Sequence, residues 1–187
     1  QGYITASDTI SAVDFVAYAA GISAGVDLPY PNTYREIEDA LNIVNPMTSE
    51  EIETALATGY MVISRRTDGV IVIEQDINTL TTFSSDKPKE FRKNRLIRTL
   101  DEIANTITRL FENRFIGKIN NDVTGRELLK QAISKELTAL QDMSAIENYD
   151  ADDITVALGD DADSVVVTLG IQPVDAMEKL YMTVEVN

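Results

Sequence analysis

The chain has 187 residues, 44% of them hydrophobic, with 31 acidic against 16 basic side chains and a net charge of −15; that composition supports one sizeable core or two small ones and excludes a disordered tail. Neither cysteine nor histidine is present, which removes thiol nucleophiles, disulfides, Cys/His zinc sites and histidine-based triads together. Apolar runs such as Met61-Val62-Ile63 and Val70-Ile71-Val72-Ile73 fall far short of the roughly 18–20 residues of a membrane-spanning helix, and no basic-then-apolar leader opens the chain, so neither a membrane span nor a signal peptide is expected.

In chain order, Gln1 stands where a Met would begin a protein and Gly2-Tyr3-Ile4-Thr5 already reads as a strand, so the chain is expected to be a piece of something longer. Ser7-Asp8 ahead of Ile10, Val13, Val16, Ala17 and Ala20 predicts a helix over about 8–24 with an N-cap. Asp27 to Asn32, with two prolines, is turn chemistry, and a short helix or turn is expected over Tyr34–Leu41. Thr48-Ser49-Glu50-Glu51 is a capping box with Gly59 as the closing residue, which predicts a helix over 49–58. Asp68-Gly69 between Tyr60–Ser64 and Val70–Glu74 predicts a β-hairpin.

Leu96, Leu100, Ile103, Ile107 and Leu110 form the stripe of a long helix over 89–114. A second capping box, Thr124 to Glu127, opens a helix that runs to about Met143, and the short connection predicts an antiparallel pair. Ile154–Leu158 and Ser164–Ile171 read as strands joined by an acidic turn, and Leu180 to Val186 alternates well enough for a half-buried strand. The expected fold is α+β: a mixed sheet with a β-hairpin, packed against the long helix pair, with a C-terminal strand. The division is expected at 1–86 and 87–187, with a terminal arm over about 172–187.

Little in the chain suggests chemistry. Asp150, Asp152, Asp153, Asp160, Asp161 and Asp163 could organise a small-ligand or calcium-binding module, the alternative functional reading, but they lack the spacing of a calcium loop. Single glycines beside Lys118 and Arg126 do not make a phosphate cradle. No catalytic residues, metal ligands or cofactor site are therefore expected, and the chain is not read as an enzyme. Charge is uneven: residues 1–60 hold one basic and nine acidic side chains, 87–135 twelve and six, 136–187 one and twelve. The negative total opposes nucleic-acid or membrane attraction, while the asymmetry suits complementary contact between copies. On pattern alone, the terminal strand either closes its own sheet or joins the edge of another subunit.

Three runs resemble a known family: Arg98-Thr99-Leu100-Asp101-Glu102-Ile103, Phe115-Ile116-Gly117-Lys118-Ile119-Asn120-Asn121 and Ile171-Gln172-Pro173-Val174-Asp175-Ala176-Met177-Glu178-Lys179-Leu180-Tyr181-Met182-Thr183-Val184. With the small-residue helix from Ala17 to Gly25 and the Thr48–Gly59 helix, they are similar to tail sheath proteins of contractile-tailed phages, prophages and phage-tail-like bacteriocins. The resemblance implies a structural subunit that stacks in rings around a tail tube and contracts to drive the tube through a cell envelope. It implies as partners other copies of the chain, the tube, baseplate and terminator proteins, with assembly in the bacterial host cytoplasm into a virion tail. It also implies that Leu180, Tyr181, Met182, Thr183, Val184, Glu185 and Val186 form a strand donated to a neighbouring subunit.

Overall fold

The computed structural model describes residues 1–185, which divide into two compact units, Gln1–Arg95 together with the chain from Asp175, and Leu96–Val174. All strand pairings among the described residues are antiparallel, so the α+β class holds but the expected mixed sheet resolves into several small antiparallel ones. The reason is connectivity: most of the paired strands are joined by tight turns or short excursions, whereas a parallel pair needs a crossover of a dozen or more residues.

In the first unit, β1 (Tyr3–Ile4) lies between β2 (Thr9–Ile10) and β3 (Asn42–Ile43). Asp8 does not cap a helix. It closes a β1–β2 turn, its carbonyl accepting from the Thr5 N–H (2.8 Å) while its own N–H donates to the Thr5 hydroxyl (3.0 Å). The helix therefore starts later, as α1 (Ala12–Gly25) with Ser11 at the N-cap.

The helix also turns a different face inward from the one expected. Phe15 and Ile22 are buried with Tyr18 and Ala19 against them, while Val13 and Val16 stand 80% and 65% exposed. The aromatic ring decides this orientation: Phe15 meets Tyr3 edge-on at 6.1 Å and stacks on Tyr18 at 5.7 Å, and burying it outweighs burying a valine.

The short helix or turn expected over Tyr34–Leu41 takes the turn form, with Tyr34 (φ +58°) and Asp39 (φ +64°) in the left-handed region. Between them Glu36 bridges to Val72 on the free edge of the predicted hairpin, the Tyr34 N–H donating to the Ile73 carbonyl and the Ile37 N–H to the Ile71 carbonyl. That hairpin, β4 (Ile63–Arg65) and β5 (Ile71–Ile73), forms as expected, with Gly69 at φ +93°. At its turn the Arg66 guanidinium holds the Asp68 carboxyl below its usual range. Ile71, Val72 and Ile73 are fully buried, and Ile71 and Ile73 complete a core with Tyr3, Phe15, Ile22, Ile37, Ile43 and Ile63. The capping box at Thr48 and Glu51 opens α2 (Ser49–Ala57), and Gly59 at φ +85° ends it.

The long helix begins at Asn94, as α3 (Asn94–Arg114), after a separate 3-10 turn over Lys89–Arg92. The interruption is Lys93, which is extended and bridges to Ile77.

In the second unit, α4 (Val123–Asp142) is capped by Asp122 rather than Thr124, the carboxylate accepting from the Gly125 N–H at 2.7 Å; an anionic cap suits the positive end of a helix. Gly125, Leu129, Ile133, Leu137 and Leu140 are its buried face, set against β6 (Ile146–Glu147) and β7 (Ile154–Leu158). β7 pairs with β8 (Val165–Leu169), and β6 with β9 (Gln172–Pro173). No helix among the described residues is long and apolar enough to cross a membrane.

Two glycines give opposite expectations. A Cβ at Gly125 would lie 2.0 Å from the Asn120 carbonyl, whereas one at Gly21 meets nothing within 4 Å. Gly125→Ala should destabilise the chain by about 1–3 kcal/mol and Gly21→Ala should stabilise it by about 0.5–1 kcal/mol, read by urea denaturation. A second expectation concerns α2. Hydrogen bonds from the Thr48 backbone and hydroxyl lower the Glu51 carboxyl, so their stabilising effect is present above the ordinary glutamate range and lost as pH falls through the lowered folded value. Thr48→Ala should melt earlier than wild type at neutral pH, with the gap narrowing in acid.

Candidate subunit interface

The described part of the terminal segment does not form a strand within the chain. Residues 180–185 lie outside every sheet, and Leu180 (85%), Tyr181 (88%), Met182 (75%) and Val184 (74%) are all largely exposed; Val186 lies outside the described residues. The sequence is nonetheless strand-forming. Alternation places Leu180, Met182 and Val184 on one side and Tyr181, Thr183 and Glu185 on the other. The segment thus has an apolar side, and over residues 180–185 it pairs with no strand among the described residues.

A complementary lack is found in β7 and β8. They pair with each other over five residues, Ile154↔Leu169 to Leu158↔Val165, and with no other strand among the described residues. Each has an outer edge of backbone donors and acceptors, and Leu158 and Val166 are both 53% exposed. A two-stranded ribbon is marginal by itself, and here it is held from two directions. Ile154 is buried and β7 lies against α4, while the Asn121 amide donates to the carbonyls of Ala162 (2.9 Å) and Ser164 (2.8 Å) in the hairpin turn. Asn121 is in turn bonded through its side-chain oxygen to the Arg126 guanidinium at 3.1 Å. Sequence reading missed Asn121 as a positioning residue; its place in a short interhelical loop beside a second asparagine was the available signal.

The acidic cluster is used for local structure. Asp150 and Asp153 form a reciprocal cap on the 3-10 turn Ala151–Asp153, and the Asp161 N–H donates to the Ser164 hydroxyl. Among the described residues no group of three or more carboxylates is placed to hold a metal ion, so the geometry gives the calcium alternative no support.

In the first unit, Asp76 is 1% exposed; its carboxylate accepts from the Asn32 N–H (2.9 Å) and the Asn94 amide (2.8 Å), and its N–H donates to the Thr33 hydroxyl (2.9 Å). These bonds join residues 32–33, 76 and 94, and with the Ile77–Lys93 bridge they fix Lys93 beside Thr33. Nothing in the sequence marks this arrangement.

Comparison with known proteins addresses the whole chain. The phage tail sheath C-terminal domain matches residues 86–187 and the phage tail sheath protein central domain matches residues 1–79. The chain is 34% identical over 179 residues to the phage-like element PBSX protein XkdK of Bacillus subtilis, covering 91% of this chain and 38% of that protein. The crystal structure of a sheath tail protein from Desulfitobacterium hafniense superposes with a TM-score of 0.86 at 36% identity, over 97% of this chain and 43% of that one. The contracted helical sheath of the anti-feeding prophage shares the fold at 14% identity, with a TM-score of 0.74 over 100% of this chain and 54% of that one. The chain therefore spans less than half the length of the relatives that share its sequence. On both domain matches and on these identities, it belongs to the phage tail sheath protein family.

Proposed function

We propose that the chain is part of a structural subunit of a contractile tail sheath, and that Leu180 to Val186 is a strand donated to the open β7–β8 ribbon of a neighbouring copy. The observation that carries this reading is the exposed, strand-forming segment at 180–185, which pairs with no strand among the described residues. Family membership and the fold shared with a helical sheath support it. Residues 1–86 and 87–187 then act as the two parts of the sheath core. Stacking into rings, contraction around a tube, docking to tube, baseplate and terminator proteins, and assembly in a bacterial host cytoplasm before incorporation into the tail belong to the same proposal. No step in it involves bond-making, and its role is structural rather than enzymatic.

The energetics suit a reversible joint. Burying Leu180, Met182 and Val184 would contribute about 1.5–3 kcal/mol each, and the backbone bonds to the ribbon add about 0.5–1.5 kcal/mol each. Against this stands the ordering of the strand, about 1–2 kcal/mol for each residue fixed. One donated strand is consequently a weak link, and a lattice that engages many at once converts weak links into a stable polymer. The same main-chain pairing can persist while the rigid parts on either side reorient.

Deletion of residues 180–187 should leave the thermal midpoint of the chain unchanged, because residues 180–185 belong to no sheet among the described residues. A synthetic peptide of residues 179–187 added to the truncated chain should shift NMR resonances of β7 and β8 and leave those of α1 and β1 in place. A large drop in midpoint on truncation, or shifts confined to the first unit, would contradict strand donation to the ribbon.

A further inference from the structure

Glu178 differs sharply from its neighbours. Its side chain is 8% exposed, although Met177 before it is fully exposed and Leu180 and Tyr181 after it are exposed to 85% and 88%. One carboxylate oxygen accepts from the Thr33 hydroxyl at 2.8 Å and the other receives the Lys93 ammonium. Lys93 also approaches Asp175 at 3.7 Å, and its side chain is 23% exposed. Neither partner is a loose surface residue: the Thr33 hydroxyl is occupied by the N–H of buried Asp76, and the Lys93 backbone bridges to Ile77.

We infer that Thr33 and Lys93 form an anchor for Glu178 that sets the root of the terminal arm, so that only the residues after it are free to be handed to another copy. This rests on the donated-strand reading and adds a limit to it. From Glu178 to Val186, the last residue of the proposed strand, is eight residues, which span at most about 29 Å when extended; rooted at Val174, the arm would have twelve residues and reach about 43 Å. The anchor therefore restricts donation to an acceptor edge within about 29 Å of Glu178, and a short tether raises the effective concentration of the strand at that edge. A paired charge closed by a hydroxyl suits the task, because its geometry is specific and the largely buried Glu178 carboxylate loses its counter-ion when Lys93 is removed.

The test is backbone ¹⁵N relaxation along residues 174–185 in the chain, in Lys93→Glu, Glu178→Lys and the double variant with the charges exchanged. In wild type the order parameter should remain near about 0.8 through Glu178 and fall below about 0.6 by Tyr181. Each single change places like charges together, and the fall should move back to about Asp175; the exchanged pair should return it to Lys179. A single variant that does not fold is covered by Thr33→Val with Glu178→Ala, which removes the anchor without adding charge. An unchanged profile in the variants, or a double variant as mobile as the singles, would overturn the anchor. Either result is independent of peptide binding by the truncated chain, so failure of the anchor and failure of strand donation can be told apart.

Discussion

A β-strand has no stability without a neighbour to receive its N–H and C=O groups, and the proposed assembly depends on that constraint. In the proposed joint the terminal segment and the β7–β8 ribbon supply opposite halves of one requirement: a strand-forming sequence that lies in no sheet over residues 180–185, and a two-stranded sheet with no further partner among the described residues. Neither is an oddity of composition. Both remain because the buried side chains that stabilise each unit are supplied elsewhere, by β5 and α1 in the first and by α4 in the second. The folded units can thus exist while the joint between copies is unmade.

Rigidity is placed accordingly. Ile71, Val72 and Ile73 are sealed from solvent, and the buried Asp76 carboxylate ties three stretches of chain far apart in sequence. In the second unit the Asn121 amide holds the hairpin turn. Two of these fixed points adjoin the proposed joint: the Asp76 N–H bonds the Thr33 hydroxyl that holds Glu178, and Asn121 bonds the turn of the β7–β8 hairpin. Subunits joined by short strands and otherwise rigid can change their arrangement by turning about the joints, without unfolding anything.

Much of this was legible in the sequence because it is written locally. The Thr48–Glu51 capping box, Gly59, the Asp68-Gly69 turn, the α4 stripe and the Ile154–Leu169 hairpin all act over a few residues, and the structure contains each of them. The misreadings came from choices made at longer range. Asp8 was available both as a helix cap and as a turn former, and the pairing of Tyr3 with Ile10 selected the turn. Val13 and Val16 had helical spacing, yet Phe15 claimed the core. Residues 35–37, inside an expected short helix or turn, had no strand signature and run along β5 because its edge was open. The positioning role of Lys93, Thr33 and Glu178 was invisible for the same reason, since residues 145 positions apart make the contact. The family resemblance added an expectation that periodicity did not provide: alternation from Leu180 to Val186 indicated a strand and left its partner open, and the resemblance implied a neighbouring subunit.

Amide hydrogen exchange across residues 180–185, compared between dilute chain and assembled polymer, tests the central claim most directly. Strand donation predicts fast exchange throughout the segment in dilute solution, and protection in the polymer at alternate amides facing the acceptor edge, with new protection in β7 or β8. Equally fast exchange in the polymer, or protection already complete in the dilute chain, would contradict it.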